Sequence, residues 1–268
     1  MTENLLLASS DRDIASSNMA QHLIEKHGFE ETSERFEGNP ICRKGGIRLV
    51  QTSKELLHLE EPKFNPEAYI FLSRHRSESG IPTLTAHFPG NFPDEASYGG
   101  RPRELGYTYP SLHREYLRRL KQLQDRVPGY KIVTEPMHHG PTSFSRPVLF
   151  VEIGSSKEQW QDQAAVETVC EAVMKTVRNR YSAEKISLGF GGTHYSEKFT
   201  KLIVESEHAL GAIMPKYALQ HLDRSTLHQM ITKSVEKVSH AVLDWKGVKD
   251  RGKILSLVED AGLEVVKI

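Results

Sequence analysis

A Glu-x-x-His-His pattern within a turn-rich segment is the part of the sequence best suited to chemistry. The segment EPMHHGPT, at 135–142, places Glu135 three residues before the adjacent pair His138 and His139. Neutral imidazole is a common zinc ligand, and a carboxylate often completes or orients the ligand set. Neighbouring residues of a regular strand point to opposite faces, so both rings can approach one ion only if the backbone turns. The glycine and prolines of the segment supply that turn. Alternatively, one histidine binds a metal and the other contacts the substrate.

Four further candidates stand at the ends of apolar segments, each of which predicts a strand. They are His75 in SRHRS (73–77), His87 in TLTAHFPGN (83–91), Glu152 after VLFV, and His194 in GFGGTHY (189–195). Strand ends are where α/β proteins usually place their chemistry. Any one histidine taken alone is better explained as a hydrogen-bonding residue, but five at four similar strand ends favour a shared site. The spacing matches no metal motif such as HExxH, so spacing does not select the ligands.

The glycines of GFGGTHY have two interpretations that the sequence leaves open. The segment lacks both the GxGxxG spacing of a dinucleotide-binding loop and the lysine of a Walker loop. Gly191 and Gly192 can therefore simply form a tight turn that needs glycine dihedrals. In the functional interpretation, their amides meet an oxyanion or a phosphate, with Thr193 and His194 beside them. Gly191, Gly192 and Thr193 are therefore candidate substrate-binding residues.

Two arginine pairs are candidate phosphate-binding residues. Arg74 and Arg76 flank the histidine of SRHRS, and alternation along the strand places both on the face opposite that histidine. Arg118 and Arg119 lie on the basic face of a helix predicted over 111–126, which is the first choice for phosphate contact if RNA binds. Ordinary surface salt bridges and a solvated helix face are the alternative explanations.

The composition excludes several classes of protein. Among 268 residues, Lys+Arg and Asp+Glu both number 35, so the formal net charge is zero. Proteins that coat duplex nucleic acid are usually far more basic, although a local basic patch could still hold an RNA end. Two distant cysteines without a CxxC motif argue against a disulfide framework and fit a reducing cytosol. The N-terminus lacks the basic region of a signal peptide, and no apolar stretch reaches the roughly 18 residues of a membrane span.

Strands and helices alternate along most of the chain. Strands are predicted over 4–8, 47–51, 67–72, 82–88, 130–133, 148–153, 185–190 and 263–268. Helices are predicted over 13–27, 111–126, 157–179, 196–205, 225–245 and 251–261. This alternation predicts an α/β protein with a mainly parallel sheet and helices on both faces. We expect one domain over 1–268, with a long loop at 89–110 of the kind that forms lids or binding loops.

Three of these segments, in extended form, resemble the signature blocks of a known family. SRHRSESGIPTLTAHFPGN, EPMHHGPTSFSRPVLFVEIGSS and GFGGTHYSEKFT are similar to the blocks of archaeal and plant-type D-aminoacyl-tRNA deacylases, and the resemblance covers nearly the full chain. It implies a zinc-dependent hydrolase that cleaves the ester between a D-amino acid and the terminal ribose of tRNA. The implied fold is a three-layer α/β/α sandwich with a mixed, mainly parallel sheet, similar to phosphorylases and peptidyl-tRNA hydrolases. The implied partner is D-aminoacyl-tRNA in the cytoplasm, without membrane or DNA binding; a monomer is slightly favoured.

We predict that this hydrolysis is metal-assisted. The candidate metal ligands are His75, His87, His138 and His139. The candidate catalytic residues are Glu135, His138, Glu152 and His194. A bound zinc ion would lower the pKa of its water, and either glutamate could take or return the proton. The oxyanion would be met by zinc or by the glycine amides of GFGGTHY.

Two other functions stay open from the sequence. The first is a phosphorylase- or peptidase-like hydrolase on a related sandwich fold. The second is a non-catalytic module that binds tRNA, which the zero net charge disfavours because non-specific RNA binding depends on backbone electrostatics.

Overall fold

The computed structural model describes residues 4–178 and 182–268. Within them the chain forms two β-sheets. The strands of the eight-stranded sheet are β1 (Leu5–Ser10), β2 (Glu30–Phe36), β3 (Asn39–Lys44), β4 (Ile47–Thr52), β5 (Ala68–Arg74), β6 (Thr83–His87), β7 (Lys131–Thr134) and β8 (Val148–Gly154). Those of the four-stranded sheet are β9 (Lys185–Phe190), β10 (His208–Met214), β11 (His240–Leu243) and β12 (Glu264–Lys267).

The strand order explains how distant segments meet. The large sheet runs β2-β3-β4-β1-β5-β8-β6-β7, and the second sheet runs β10-β9-β11-β12. Among the described strands, β3 is antiparallel to β2 and β4, and β6 is antiparallel to β8; the other pairs are parallel. The predicted α/β class with a mixed, mainly parallel sheet is therefore confirmed. The structure adds that the strands divide into two sheets.

The helices pack on the sheets and share the main apolar core with the strands. The α-helices are α1 (Ile14–His27), α2 (Pro110–Gln122), α3 (Lys157–Trp160), α4 (Gln163–Thr176), α5 (Glu197–Glu205), α6 (Arg224–Thr232) and α7 (Arg251–Asp260). Short 3₁₀ turns occupy Leu56–His58, Gln124–Arg126 and Leu219–His221. Helix α2 packs against α4, α5 and strands of both sheets. Its buried stripe of Leu112, Tyr116, Leu117 and Leu120 has the spacing of one helix face.

Local sequence explains where the helices begin. The Asp13 side chain accepts the Ser16 N–H and caps α1. The helix predicted over 157–179 divides into α3 and α4 because the Asp162 side chain accepts the Ala164 and Ala165 N–H groups and starts a second helix. The predicted end of that helix at residue 179 lies outside the described residues.

The helix predicted over 225–245 is wrong beyond Thr232. Residues 240–243, HAVL, form β11, which lies buried between β9 and β12. Sheet pairing overrides helical spacing here, because the same apolar residues fit a buried strand. Strands β2, β3 and β10 were not predicted from the sequence. Strand β2 is charged and largely exposed, so its residues lack a hydrophobic period.

The two faces of the large sheet differ in their covering. One face joins the helices in a large apolar cluster. The other carries an aromatic group of Tyr69, Phe71, Phe144 and Phe150, covered by loops and the turn at 56–58. The segment 89–110 packs into the protein through Phe92 and Leu105, which are both buried. Across the described residues, the helices are too short or too polar to cross a bilayer.

Candidate active site

The candidate residues gather where β6 runs antiparallel to β8. The register pairs Glu152 of β8 with Thr85 of β6, and Phe150 with His87. Paired residues of adjacent strands share a face of the sheet. Glu152 and His87 therefore both rise from the face that carries the aromatic group, and Glu135 enters the same region immediately after β7.

Glu135 is the centre of the cluster. Its Oε1 lies 3.2 Å from His75 Nδ1, and its Oε2 lies 3.5 Å from His138 Nε2 and 3.2 Å from His194 Nε2. The glutamate is 1% exposed. Neither of its oxygens has a partner with hydrogen-bond geometry within the described chain. A buried carboxylate surrounded by imidazoles therefore keeps unused acceptor capacity.

Glu152 occupies a second buried position beside the first. Its Oε2 lies 3.3 Å from His75 Nδ1 and accepts a hydrogen bond from Thr85 Oγ1 at 3.4 Å. Its Oε1 lies 3.9 Å from His87 Nε2. His75 thus stands between the two carboxylates, and its Nε2 bonds the Tyr195 hydroxyl at 2.7 Å.

Three imidazoles share one hydrogen-bonding arrangement. The Nδ1 atoms of His87, His138 and His139 lie 3.1, 2.9 and 2.7 Å from the carbonyl oxygens of Phe88, Pro136 and Gly140. A carbonyl only accepts, so each Nδ1 carries the proton and each Nε2 keeps its lone pair in the neutral ring. Backbone or carboxylate acceptors on the far nitrogen are the usual way in which proteins orient metal-binding histidines.

The donor atoms are close enough together to share a metal ion. The groups whose ligand atoms lie within 4.8 Å of one another are His87 with His138 and His139, His75 with Glu135 and His194, and His87 with Glu135 and Glu152. The His87 and His138 rings stack with centroids 4.0 Å apart. His87 Nε2 is buried without a hydrogen-bond partner in the described chain. Buried ligand atoms without hydrogen-bond partners, oriented imidazole rings and nearby carboxylates fit a divalent cation such as zinc.

The electrostatics divide the histidines into two groups. Burial alone would lower the pKa of His75, but contacts with the two glutamates raise it to about 10. The pKa of His87 is raised as well, because the same carboxylates outweigh its burial. Burial and the charge of His87 hold the pKa of His138 well below its usual range and lower that of His139 to about 4. Neutral imidazole is the form that binds metals, so His138 and His139 are prepared for ligation at neutral pH.

Phe150, on the aromatic face of the large sheet, packs against two histidines of the cluster. The Phe150 ring lies parallel to that of His87 with centroids 5.2 Å apart, and edge-on to that of His139 at 4.9 Å. Phe150 is fully buried. Its packing limits both imidazoles to one orientation, because displacing either would open a void in a dense core.

A cavity of about 620 Å³ opens over the cluster. Its lining includes the following residues: Asp13, Glu55, Leu57, Arg74, His75, Arg76, Tyr98, His138, His139, Glu152 and His194. Sites for small molecules usually measure roughly 300–1,000 Å³. The cavity therefore accommodates the end of a substrate, with reactive groups on its floor and exposed side chains at its rim.

The arginines of SRHRS both reach this cavity, but they differ in availability. The Arg74 guanidinium donates to Arg12 O at 2.9 Å, lies 3.5 Å from Glu55 and stacks over Trp160. Arg76 is exposed and forms no ion pair within residues 4–178 and 182–268. Only Arg76 therefore keeps its charge available for a ligand.

The glycines of GFGGTHY form the tight turn of the first interpretation. Gly191 and Gly192 adopt φ of 102° and 75°, the left-handed region that favours glycine. The Gly191 N–H donates to Met214 O at 2.9 Å, so this amide is already used by the fold. Thr193 is exposed, and its hydroxyl donates to Tyr195 O. The turn positions His194, but the Gly191 amide is not left for an oxyanion.

The basic helix face is used within the fold and lies away from the cluster. Arg114 and Arg118 both donate to Ser206 O at 2.8 Å, and Arg119 lies 2.6 Å from Glu115. Ser206 follows α5, so it stands about 14 Å along that helix from the GFGGTHY turn. The structure does not bring Arg118 and Arg119 together with the histidines.

Tyr195 is the residue that sequence reasoning did not single out. Burial alone would raise its pKa, but hydrogen bonds with Ser77 and His75, together with the charge of His75, lower it. Tyr195 is the last residue of GFGGTHY, but its position in the sequence does not indicate its partner His75, which lies 120 residues earlier. Only the sheet topology joins the two residues.

Comparison with known proteins assigns the chain to a family. The family model described as D-aminoacyl-tRNA deacylase matches residues 62–266. The chain belongs to the D-aminoacyl-tRNA deacylase family. A D-aminoacyl-tRNA deacylase of Pyrococcus abyssi is 37% identical over 95% of this chain and 96% of its own. One of Ignicoccus hospitalis is 39% identical over 87% of this chain and 97% of its own.

A solved structure supports the fold of this D-aminoacyl-tRNA deacylase family member. It is the crystal structure of a conserved protein of unknown function, 28% identical, with a TM-score of 0.92. The match covers 99% of this chain and 95% of the other. The family resemblance predicted from the three sequence blocks is confirmed by the family model and the named relatives.

Proposed function

We propose that the chain is a D-aminoacyl-tRNA deacylase, a hydrolase that cleaves the ester between a D-amino acid and the 3′ end of tRNA with the help of zinc. The observation that carries the proposal is the group of three oriented imidazoles beside two buried glutamates, within a chain of this family. tRNA and free D-amino acid are the products. We infer that the enzyme works in the cytoplasm, where its tRNA substrate is found.

His87, His138 and His139 would hold the zinc ion. Three imidazoles with their Nδ1–H groups bonded to carbonyls are a typical catalytic ligand set, and His87 would have to lose its Nε2 proton to bind the metal, because its pKa is raised. When bound, the metal lowers the pKa of a coordinated water and polarises the ester carbonyl. His75 is less suited to this role, because its two ring nitrogens already face Glu135, Glu152 and Tyr195.

Glu135 and His194 are placed to move the proton. The Glu135 carboxylate takes the proton of the attacking water, since its oxygens have no hydrogen-bond donor to satisfy them. The water oxygen attacks the ester carbon, and the bond from that carbon to the ribose oxygen breaks. His194 lies 3.2 Å from Glu135 at the cavity surface, where it returns a proton to the departing ribose oxygen.

The positions of Glu135 and His194 are stabilised by neighbouring polar residues, which are His75, Glu152 and Thr85. His75 contacts both buried carboxylates, offsets part of their charge and is itself bonded to Tyr195. Glu152 is bonded by Thr85 and faces two histidines, so it remains ionised. These contacts fix Glu135 at the distance from His194 that proton transfer needs.

The cavity selects the substrate. Arg76 is placed for a phosphate of the tRNA end, because its charge is unpaired within the described chain and it lines the cavity. We propose that chiral choice follows from the shape of the cavity, by exclusion of the L side chain or by misplacement of its ester.

The test is deacylation of D-tyrosyl-tRNA by alanine variants of His138 and His194. We expect both variants to fold and to lose turnover, because each removes a group that contacts Glu135. The matched control is His228→Ala, which removes an exposed histidine on α6 and should leave turnover unchanged. Wild-type turnover by either test variant would show that the site is misplaced.

A further inference from the structure

The most exposed of the large hydrophobic side chains in the described chain stands at the rim of the active-site cavity. Tyr98 is 73% exposed and lines the cavity beside His138, His139 and His194. Single exposed apolar residues are common on protein surfaces and need no explanation by themselves. The location of Tyr98 is different, because its aromatic ring lines the same cavity as three of the histidines proposed to act on the ester.

Hydrogen bonds fix the backbone at Tyr98, whereas its side chain is largely exposed. The Tyr98 carbonyl accepts the Gly140 N–H at 3.1 Å, which ties it to the turn of EPMHHGPT. The next carbonyl, that of Gly99, accepts from Asn91 Nδ2 at 2.9 Å. The Arg101 N–H donates to Thr142 Oγ1 at 3.0 Å. An aromatic ring on a fixed backbone costs little conformational entropy when it binds a ligand.

The surroundings of Tyr98 match the parts of a nucleotide. Half-buried Leu57 lines the same cavity and offers a second apolar surface. Arg76 offers a cation without an ion pair in the described residues. An aromatic ring with a nearby free arginine is the combination that binds single-stranded nucleic acid, by stacking on a base and pairing with a phosphate.

We propose that Tyr98 is the stacking platform for the adenine of the terminal nucleotide of tRNA. The inference rests on the proposed function, because the aminoacyl ester of tRNA is carried by the ribose of that terminal adenosine. With the ester carbonyl at the histidines, the base lies one ribose ring away, and Tyr98 is an aromatic side chain that lines the same cavity. Tyr98 is therefore a positioning residue that sets where the ester rests.

Tyr217 is the strongest competing candidate and is less well placed. It is 56% exposed, and burial together with the charge of Glu135 raises its pKa. It is not among the cavity-lining residues within the described chain. Tyr98 is therefore the ring that a bound nucleotide would meet.

The experiment compares two esters that differ in whether they carry a base. Zinc-loaded wild type, Tyr98→Ala and Tyr98→Phe are assayed on 3′-O-(D-tyrosyl)adenosine and on D-tyrosine methyl ester. Stacking predicts that Tyr98→Ala raises KM for the adenosine ester by about 5- to 100-fold with little change in kcat. The same variant should leave the methyl ester unaffected, and Tyr98→Phe should behave as wild type. Val235→Ala, another exposed apolar residue outside the cavity lining, is the control.

Each outcome decides something different. An unchanged KM for the adenosine ester in Tyr98→Ala, or an equal loss on both esters, overturns the stacking role. Wild-type protein that hydrolyses neither these esters nor D-tyrosyl-tRNA overturns the proposed function instead. The stacking is then still tested by titration with a non-hydrolysable analogue, in which an amide replaces the ester and the fluorescent base 2-aminopurine replaces adenine. Fluorescence quenching by wild type and Tyr98→Phe, with none by Tyr98→Ala, supports it; equal quenching by all three contradicts it.

Discussion

Replacing Glu135 by glutamine is the most informative single change at this site. The substitution keeps the volume of the side chain but removes its charge, and with it the ability to take a proton. Glu135 contacts three imidazoles from a fully buried position. Whatever turnover depends on that charge should therefore be lost without a change in cavity shape.

The size of the loss separates two roles. A positioned general base contributes about 10²- to 10⁴-fold to the rate, equivalent to about 3 to 5 kcal/mol of activation free energy. A residue that only orients metal ligands contributes about 10- to 100-fold, mainly through metal affinity. We expect Glu135→Gln to lower kcat by the larger range at saturating zinc, with KM for D-tyrosyl-tRNA little changed.

The fold should tolerate this change. Removing one partner of a buried ion pair usually costs roughly 3–5 kcal/mol because a charge is left uncompensated. Here His75 keeps Glu152 at 3.3 Å, and an imidazole can release its proton. The free energy of unfolding should thus fall by much less than that range.

The assay is the initial rate of D-tyrosyl-tRNA deacylation, with thermal unfolding measured on the same samples. Glu236→Gln is the matched control, because Glu236 is a partly buried carboxylate bonded to Ser111 and is not among the described cavity-lining residues. A wild-type kcat for Glu135→Gln would contradict the role of Glu135 as the base. So would unfolding so easy that the lost activity follows the lost fold.

Three further predictions follow from the surroundings of the site. Gly140→Ala would place a Cβ 2.3 Å from the Gly100 nitrogen, so it should lower both the unfolding temperature and turnover. Gly129→Ala meets open space and should change neither. Thermal unfolding and initial rates of the two variants check this. Phe150→Leu should lower turnover and weaken zinc binding, measured by competition with a chelator, because the ring that orients His87 and His139 is lost; unchanged zinc affinity would contradict this. Burial raises the pKa of Asp13 to about 6, so its contribution to stability is full below about 4 and is lost as pH rises through about 6. The unfolding temperature of Asp13→Asn relative to wild type should therefore rise between pH 4 and pH 7; a difference independent of pH would contradict the burial of a charge.

The gathering of the histidines was predictable because of where they stand relative to apolar strands. His75, His87 and His194 each follow or end a strand whose side chains are buried. Such strands must lie inside a sheet, so polar residues at their ends are carried to common regions. The sequence therefore indicated the members of the cluster without showing how they are arranged.

The arrangement was not predictable because it depends on pairing between distant strands. Strand β6 is antiparallel to β8, so His87 lies beside Phe150 in the middle of β8 instead of at a shared edge of parallel strands. The carbonyl partners of the Nδ1 atoms and the use of the Gly191 amide by Met214 are details of backbone path. Spacing alone carries no information on either.

Zinc dependence of chiral deacylation tests the central claim most directly. The measurement is the rate of deacylation of D-tyrosyl-tRNA and L-tyrosyl-tRNA by the full chain with one equivalent of zinc, after treatment with a chelator, and after zinc is restored. We predict fast release of D-tyrosine, slow release of L-tyrosine, loss of both after chelation and recovery with zinc. Deacylation of the D-ester that continues unchanged after complete removal of the metal would contradict the assignment of His87, His138 and His139 as a zinc site that serves the reaction.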